Sequence, residues 1–336
     1  MSTNIQGLVD RIFREYLEPM DDLTSYTTLN EGSELSASDT EITFNGDLLT
    51  QEEEDAMDAG TIIECETELM RCVSLDTVGN KVTVVRGVRG TTPAIHADGS
   101  VVKIAPPFPR KVVFDAVVDQ INNLFPTLFA VETQSITTGT GYTLIGSYDS
   151  PGTHNYLVSI LSAISQYTDF SAGSDTTGVN FAPVTCSLVE LPNPFTYTDS
   201  DGVSRTITYT TGPSTVHAIQ FAGIASGHTA HVTFKKKFIE PTAEDNTIAN
   251  IGLEPEWEPI IMAGTAAHML SGRDIPSATA DYISDQLSVA TYPVGSSSNI
   301  RNGLLSYQAT LLEQAKKDLK ARYPEPVALN QITYPS

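Results

Sequence analysis

Pro106-Pro107-Phe108-Pro109 followed by Arg110-Lys111-Val112-Val113-Phe114-Asp115-Ala116-Val117-Val118-Asp119-Gln120-Ile121-Asn122-Asn123-Leu124-Phe125 is the stretch on which the fold turns. Three prolines in four residues break the chain, because each fixes φ and removes a backbone donor. Val113, Phe114, Val117, Val118, Ile121, Leu124 and Phe125 then recur at spacings of three and four, one face of a helix over 110–125. Pro126 disrupts the turn that would follow. On both sides of this helix the sequence reads as β structure.

Upstream, Thr61–Cys65, Glu68–Val73 and Lys81–Arg86 are short apolar or alternating runs of strand type, and Asp76–Asn80 supplies a turn between the last two. Gly87, Gly90, Pro93, Asp98 and Gly99 punctuate a loop before a further strand at Val101–Ile104. The stretch Leu23–Ala59 is polar and acidic, with strand-like pieces at Tyr26–Leu29 and Glu41–Phe44. Downstream, from Glu132 to Glu240, the clearest alternating runs are Tyr142–Ile145, Asn155–Leu161, Val184–Glu190, Arg205–Thr210, Val216–Phe221 and Ala230–Phe234. Turn signals between them indicate an antiparallel sandwich or jelly roll.

Helical periodicity returns at both ends. Residues 4–18 place Ile5, Leu8, Val9, Ile12, Phe13, Tyr16 and Leu17 on one stripe, with Asn4 as N-cap and Pro19 after the end. Glu254–Ser271, Ser277–Ala290 and Asn299–Tyr323 read as helices, the last with an apolar set of Leu304, Leu305, Tyr307, Ala309, Leu311, Leu312, Ala315 and Leu319. Lys316, Lys317, Lys320 and Arg322 gather at its C-terminal end, where they suit the helix dipole.

Short isolated helices are marginal in water and need tertiary packing. The expected fold is therefore multidomain α+β, a discontinuous helical bundle with two inserted antiparallel β domains. The bundle takes 1–20, 107–130 and 250–323; a small acidic β meander or barrel takes 21–106; a β-sandwich or jelly roll takes 131–245; an extended tail takes 324–336. In this arrangement helix 299–323 packs against 4–18 and 110–125. A charge placed at Leu311 or Leu312 should then prevent folding or assembly.

The formal net charge over 336 residues is −22, which disfavours a protein that grips nucleic acid through phosphates. From Asp21 to Met70 there are fifteen Asp or Glu and no Lys or Arg, densest at Glu52-Glu53-Glu54-Asp55. That run is read either as a solvated face or as a repulsive lining along which DNA could slide. No stretch is apolar enough to span a bilayer, and the first residues lack the features of a secretory signal. Cys65, Cys72 and Cys186 show no CxxC spacing and are expected as free thiols, those of Cys65 and Cys72 buried.

No catalytic, cofactor or metal site emerges. His228 and His231 lie three apart on an expected strand and so on opposite faces, which resists a shared metal. His268 lies on an apolar helix face and is expected as a core or interface histidine; His96, His154 and His217 have no ligand partners in sequence. Gly87-Val88-Arg89-Gly90-Thr91-Thr92 lacks the phosphate-loop spacing, so its glycines are expected at positive φ. Gly223-Ile224-Ala225-Ser226-Gly227 lacks the nucleophile-elbow order. Lys235-Lys236-Lys237 reads as a solvated strand edge that guards against further pairing. Tyr142, Tyr148, Tyr156, Tyr167, Tyr197 and Tyr209 could stack on sugars, and a glycan-binding module stands as an alternative.

Arg86, Gly87, Gly90, Thr91, Ala94, His96 and Gly99, following the strand Lys81–Val85, follow the pattern V-x-R-G-x-x-G-T-x-A-x-H-x-x-G with one extra residue between Thr91 and Ala94. This segment resembles a small β module of tailed-bacteriophage virion proteins, and it covers about one-tenth of the chain. Together with the helical frame and the C-terminal tail, it makes the chain similar to head-to-tail adaptor, or neck, proteins. The resemblance implies a non-enzymatic virion protein assembled in the host bacterial cytoplasm. It implies a ring of its own copies, commonly twelve, between portal and tail or neck proteins, through which DNA passes without tight binding. The β insertions would be outward decorations that hold fibres or capsid. A tail, baseplate or capsid-decoration protein is the nearest alternative.

Overall fold

The computed structural model describes residues 4–17, 25–45, 57–76, 80–137, 142–144, 157–168, 179–192, 195–198, 204–207, 215–222, 229–271 and 297–323. The chain is α+β and divides into two compact units. One takes Met1–Asn122, Pro241–Ile248 and Glu254–Leu312; the other takes Asn123–Glu240, Ala249–Leu253 and Glu313–Ser336.

The first unit contains a six-stranded antiparallel sheet. Its strands are β1 (Ser25–Thr28), β2 (Glu41–Thr43), β3 (Ile62–Cys65), β4 (Glu68–Asp76), β5 (Lys81–Val85) and β6 (Val101–Ile104), in the order β1-β6-β3-β4-β5-β2. Its two ends meet: Leu29 and Phe44 bridge, Asn30 N donates to Thr43 O at 2.9 Å, and Asn45 N donates to Thr28 O at 2.9 Å. The sheet thus curls into a half-barrel whose two outer strands come together at this bridge. Alternation fills its inside. On β5, Val82 and Val84 are buried while Lys81, Thr83 and Val85 face out. Leu35, Ile42, Phe44, Ile63 and Ile104 share that core. The expected meander holds for β3, β4 and β5, and β6, β1 and β2 complete it.

Apart from the short helix at Ile248–Ile251, which was not expected, the described helices form where the sequence periodicity places them. Helix α1 (Ile5–Ile12) starts at Asn4, whose side chain accepts a hydrogen bond from Gly7 N at 3.0 Å, and it continues as a π turn over Phe13–Leu17. It buries Ile5, Leu8, Val9, Ile12 and Leu17, each burial favourable by about 1.5–3 kcal/mol relative to exposure. Helix α2 (Arg110–Leu124) follows the proline break. After the short helix α3 (Ile248–Ile251), a 3-10 turn at Pro255–Trp257 leads into α4 (Glu258–Met269).

Every residue of α4 from Ile260 to Ala267 is buried, so this helix is apolar all round rather than amphipathic. His268 is the exception. It is exposed, which overturns the core half of the core-or-interface expectation: it falls in the last turn, at the one position between Ile260 and Leu270 that reaches solvent.

Helix α5 (Ser297–Arg322) buries Ile300, Leu304, Ala315 and Leu319. Leu305 and Tyr307, expected in the apolar set, are exposed, and Leu311 and Leu312 are half-buried. At about 100° per residue, Leu305 and Leu312 stand roughly a quarter-turn round from the Leu304 stripe. Within the first unit the helices touch at specific points. Arg11 Nη1 reaches Glu258 Oε2 at 2.5 Å, joining α1 to α4. Gln308 Nε2 of α5 donates to Gln120 Oε1 of α2 at 2.9 Å, directly against Gly264 of α4.

The second unit is β-rich: β7 (Ala130–Thr137), β8 (Tyr142–Leu144), β9 (Leu157–Thr168), β10 (Val179–Pro183), β11 (Thr185–Pro192), β12 (Phe195–Thr198), β13 (Ser204–Ile207), β14 (Thr215–Ala222) and β15 (Thr229–Lys236). They pair antiparallel as β10-β9-β15-β7, β11-β14-β8 and the pair β12-β13. Ile136, Ala163, Val232 and Phe234 of the first sheet share one core with Ile219, Leu188 and Phe221 of the second. The expected helix at 277–290 and the tail at 324–336 lie outside the described residues.

Candidate functional site

The segment that carries the virion-module resemblance closes on a buried carboxylate. Glu68 opens β4 and points inward, and Arg86 leaves the end of β5 toward it. Arg86 Nε donates to Glu68 Oε1 and Nη2 to Glu68 Oε2, both at 2.7 Å. The remaining guanidinium hydrogens go to main-chain oxygens: Nη1 to Ser36 at 2.9 Å and Asp39 at 3.0 Å, Nη2 to Ala94 at 2.7 Å. All five donors of the guanidinium are used.

Glu68 is equally engaged. Its oxygens also accept from Gly87 N at 3.1 Å and Ala94 N at 3.0 Å, and His96 Nε2 lies 2.8 Å away. Burial alone pushes this carboxyl up, but the hydrogen bonds from Arg86, Ala94 and His96 outweigh it and hold it down at about 2. His96 is itself buried, and its Nδ1 faces Glu66 Oε2 at 3.1 Å. Its backbone bridges Leu35, so the loop is pinned at both main chain and ring.

The glycines shape the approach. Gly87, at φ +62, would bring a Cβ within 2.6 Å of Pro93 Cδ and 2.9 Å of Thr91 O, and Gly90 and Gly99 lie at φ +80 and +81. Thr91 Oγ1 donates to Val88 O at 2.9 Å and accepts from Leu69 N at 3.1 Å, closing the turn against β4. These groups tie β4, the loop after β5 and the Leu35 segment to one another.

A cleft of about 570 Å³ lies in the first unit between α1 and the outer side of β3 and β6, lined by Asp10, Phe13, Arg14, Glu64, Glu66, Val101, Lys103 and Arg110. Arg110 is its anchor: it meets Glu244 through Nε and Nη2 and Asp10 through Nη1 at 2.7 Å, and its backbone N donates to Glu64 Oε1 at 2.6 Å. Burial opposes the charge of Arg110, and the bonds to Glu244 and Asp10 raise its pKa nonetheless. Lys103 Nζ sits 5.6 Å from the Phe13 ring centroid. Glu64 and Glu68 are both buried, so the acidic run is neither wholly a solvated face nor wholly a lining: part of it is internal structure. Glu52–Asp55 lie outside the described residues.

The other sequence candidates are not brought together. His231 Nδ1 meets Ser135 Oγ at 2.9 Å across β15 and β7. His217 pairs in register with Glu190. His154, His228 and the 223–227 segment lie outside the described residues. Cys65 and Cys72 are buried free thiols on the adjacent strands β3 and β4, and burial with the nearby Glu66 and Glu68 pushes Cys65 up to about 12. A thiol so held is not a nucleophile.

The lysine triplet is corrected. β15 lies between β9 and β7, so it is an interior strand and has no edge to guard. Lys235 Nζ instead stands 4.4 Å from the Phe129 ring centroid, Lys237 Nζ is 5.5 Å from that of Phe125, and Lys236 pairs with Glu132 at 2.5 Å. Tyr142, Tyr167 and Tyr197 fall on β8, β9 and β12, while Tyr148, Tyr156 and Tyr209 lie outside the described residues.

Among the described residues, no group of three or more His, Cys, Asp or Glu is arranged to hold a metal ion, and no helix is long and apolar enough to cross a membrane. Sequence reading passed over Glu68 and Glu64, which sit unmarked inside a run of acids. The available signal was Arg86, a cation at a strand end beside glycines that fold the chain back onto its neighbours. Comparison with protein-family models and with curated protein sequences finds no match to this chain.

Proposed function

We propose that the chain is a structural protein of a tailed-phage virion, a head-to-tail adaptor or neck protein that forms a ring with its own copies, joins portal to tail and lets DNA pass. The observation that carries this reading is the use made of the motif. Arg86, Gly87, Thr91, Ala94 and His96 all serve to lock a β module around Glu68, which suits a building block better than an active site. The charge of −22 suits a passage that must not retain DNA.

The architecture behind this reading is a discontinuous helical bundle with the barrel and the β-sandwich as insertions. Its support is the meeting of distant helices at Arg11–Glu258 and Gln120–Gln308. Cryo-electron microscopy of purified particles, with the chain identified by mass spectrometry, is the test. Density at the neck is the expected result. Density in the tail, baseplate or capsid surface would replace the adaptor reading, and absence of the chain from particles would overturn the virion reading altogether.

A further inference from the structure

Lys81, Lys111, Lys236 and Lys316 each lie 2.5–3.1 Å from a carboxylate of this chain. Among the described residues Lys235 and Lys237 meet no carboxylate, although the chain holds 41 acids. Their ammonium groups stand over rings instead. Lys235 Nζ is 4.4 Å from the Phe129 centroid and 6.0 Å from that of Phe125, and Lys237 Nζ is 5.5 Å from that of Phe125. A ring holds an ammonium in place without cancelling its charge. The strand period sets these two apart from the third lysine: 235 and 237 share one face, and Lys236 lies on the other, against Glu132. The bonds Thr133–Thr233 and Ser135–His231 place Thr133 and Ser135 of β7 on the Lys235 face. Glu132 is the one acid in Ala130–Ile136 and Ala230–Lys237, so this face of β7 and β15 carries two cations and no carboxylate. β7 is also the last strand of its sheet, paired with β15 on one side and with no described strand on the other.

We infer that β7 accepts an extended acidic segment of a partner protein as an added strand, with acids two residues apart in that segment reaching Lys235 and Lys237. Alternate residues of a strand lie about 6.6–6.8 Å apart on one face, and the two lysines, themselves alternate residues, present charge at that period. Such a strand gains main-chain bonds from the edge and selectivity from the side chains of one face. Two other ligands fit less well. Phe129 is buried and Phe125 half-buried under the lysines, so neither ring is offered to a sugar. Nucleic acid needs more than two cations, and the second unit has eleven acids to eight bases. That near balance still admits an acidic peptide, because the excess acid of the chain belongs to the other unit, with thirty acids to eleven bases. The inference stands on the second unit alone and is independent of the adaptor reading.

Fluorescence anisotropy on the full chain tests it, the probe being a labelled peptide that alternates Glu with Thr or Val. The wild type is expected to bind this peptide, and the double variant Lys235→Gln/Lys237→Gln to bind it roughly tenfold more weakly. Methylating every second backbone nitrogen of the peptide should abolish binding in one register and spare it in the other, because alternate N–H groups of a strand face the same neighbour. This arm leaves the protein unaltered and so decides the question even if the double variant does not fold. A chain that binds no peptide would overturn the inference, as would equal binding of both methylated forms or an undiminished affinity in the lysine variant. Tighter binding of a single-stranded DNA of equal charge would overturn it in favour of nucleic acid.

Discussion

Arg86 and Glu68 form a two-bond fork inside the barrel, 2.7 Å at each bond, with the Glu68 side chain fully buried. The fork ties β4 to the loop that leaves β5, and through Ala94 and His96 it fixes the path from Gly87 to the start of β6. Removing one member leaves the other charged, buried and unpaired, which costs about 3–5 kcal/mol. Glu68→Gln and Arg86→Lys are both expected to destabilise the barrel on that scale, because a lysine cannot reproduce five donors in one plane. Hydrogen exchange at β4 and β5 amides reads this locally, as a two-unit chain has no single unfolding free energy. Unchanged protection in both variants would refute the role given to the fork.

The same carboxylate sets an acid limit. Glu68 sits at about 2 when folded against an ordinary value of 4.5, so its ionised form favours the folded state. Its contribution is complete above about pH 4.5 and is lost as pH falls toward about 2. Glu68→Gln cannot titrate. The stability gap between wild type and Glu68→Gln should therefore be widest above about pH 4.5 and narrow below it. Barrel-amide exchange measured across that window checks the claim, and a gap independent of pH would contradict it.

The proline break before Arg110 and the alternation of Lys81–Val85 were legible because each depends on local periodicity alone. So was the Asn4 cap, where one side chain serves a donor three residues away. A meander or barrel was legible over 21–106, but the contact that curls the sheet was not, since it rests on Leu29 and Phe44 meeting from opposite ends of the strand order. The misreading of Lys235–Lys237 has the same origin. Whether a strand is an edge depends on its neighbours, and β15 finds them about 70 and 100 residues away in β9 and β7. Glu68 was hidden because a buried acid differs from a solvated one only through its partners, and those lie 18 to 28 residues on.

Burial along α5 separates residues that periodicity alone grouped together. Leu304 is completely buried, whereas Leu305 next to it is exposed. Leu304→Asp places an unpaired charge in the interior and is expected to cost several kcal/mol, about 3 or more. Leu305→Asp should stay within roughly 0.5–1 kcal/mol of wild type. The half-buried Leu311 and Leu312 should fall between them, a milder outcome than loss of folding. Hydrogen exchange at the α5 amides of the four variants gives the ranking, and equal effects at 304 and 305 would contradict the assigned helix face.

Gly264 marks the point where α4 passes beneath the Gln120–Gln308 hydrogen bond, and a Cβ there would collide with Gln120 Oε1 and Gln308 Nε2. Two effects oppose each other in Gly264→Ala. Helix propensity favours alanine by about 0.8–1 kcal/mol. Displacing a part-buried amide pair costs about 1–3 kcal/mol if its groups are left unsatisfied. The single variant is therefore expected to be destabilised by about 1 kcal/mol or less, since both amides end flexible side chains. In a Gln120→Ala/Gln308→Ala background the obstacle is gone, and the same substitution should stabilise. The sign reversal is the diagnostic, read from hydrogen exchange at the α4 amides in a mutant cycle. If Gly264→Ala changes protection equally in both backgrounds, the three helices do not meet at this glycine.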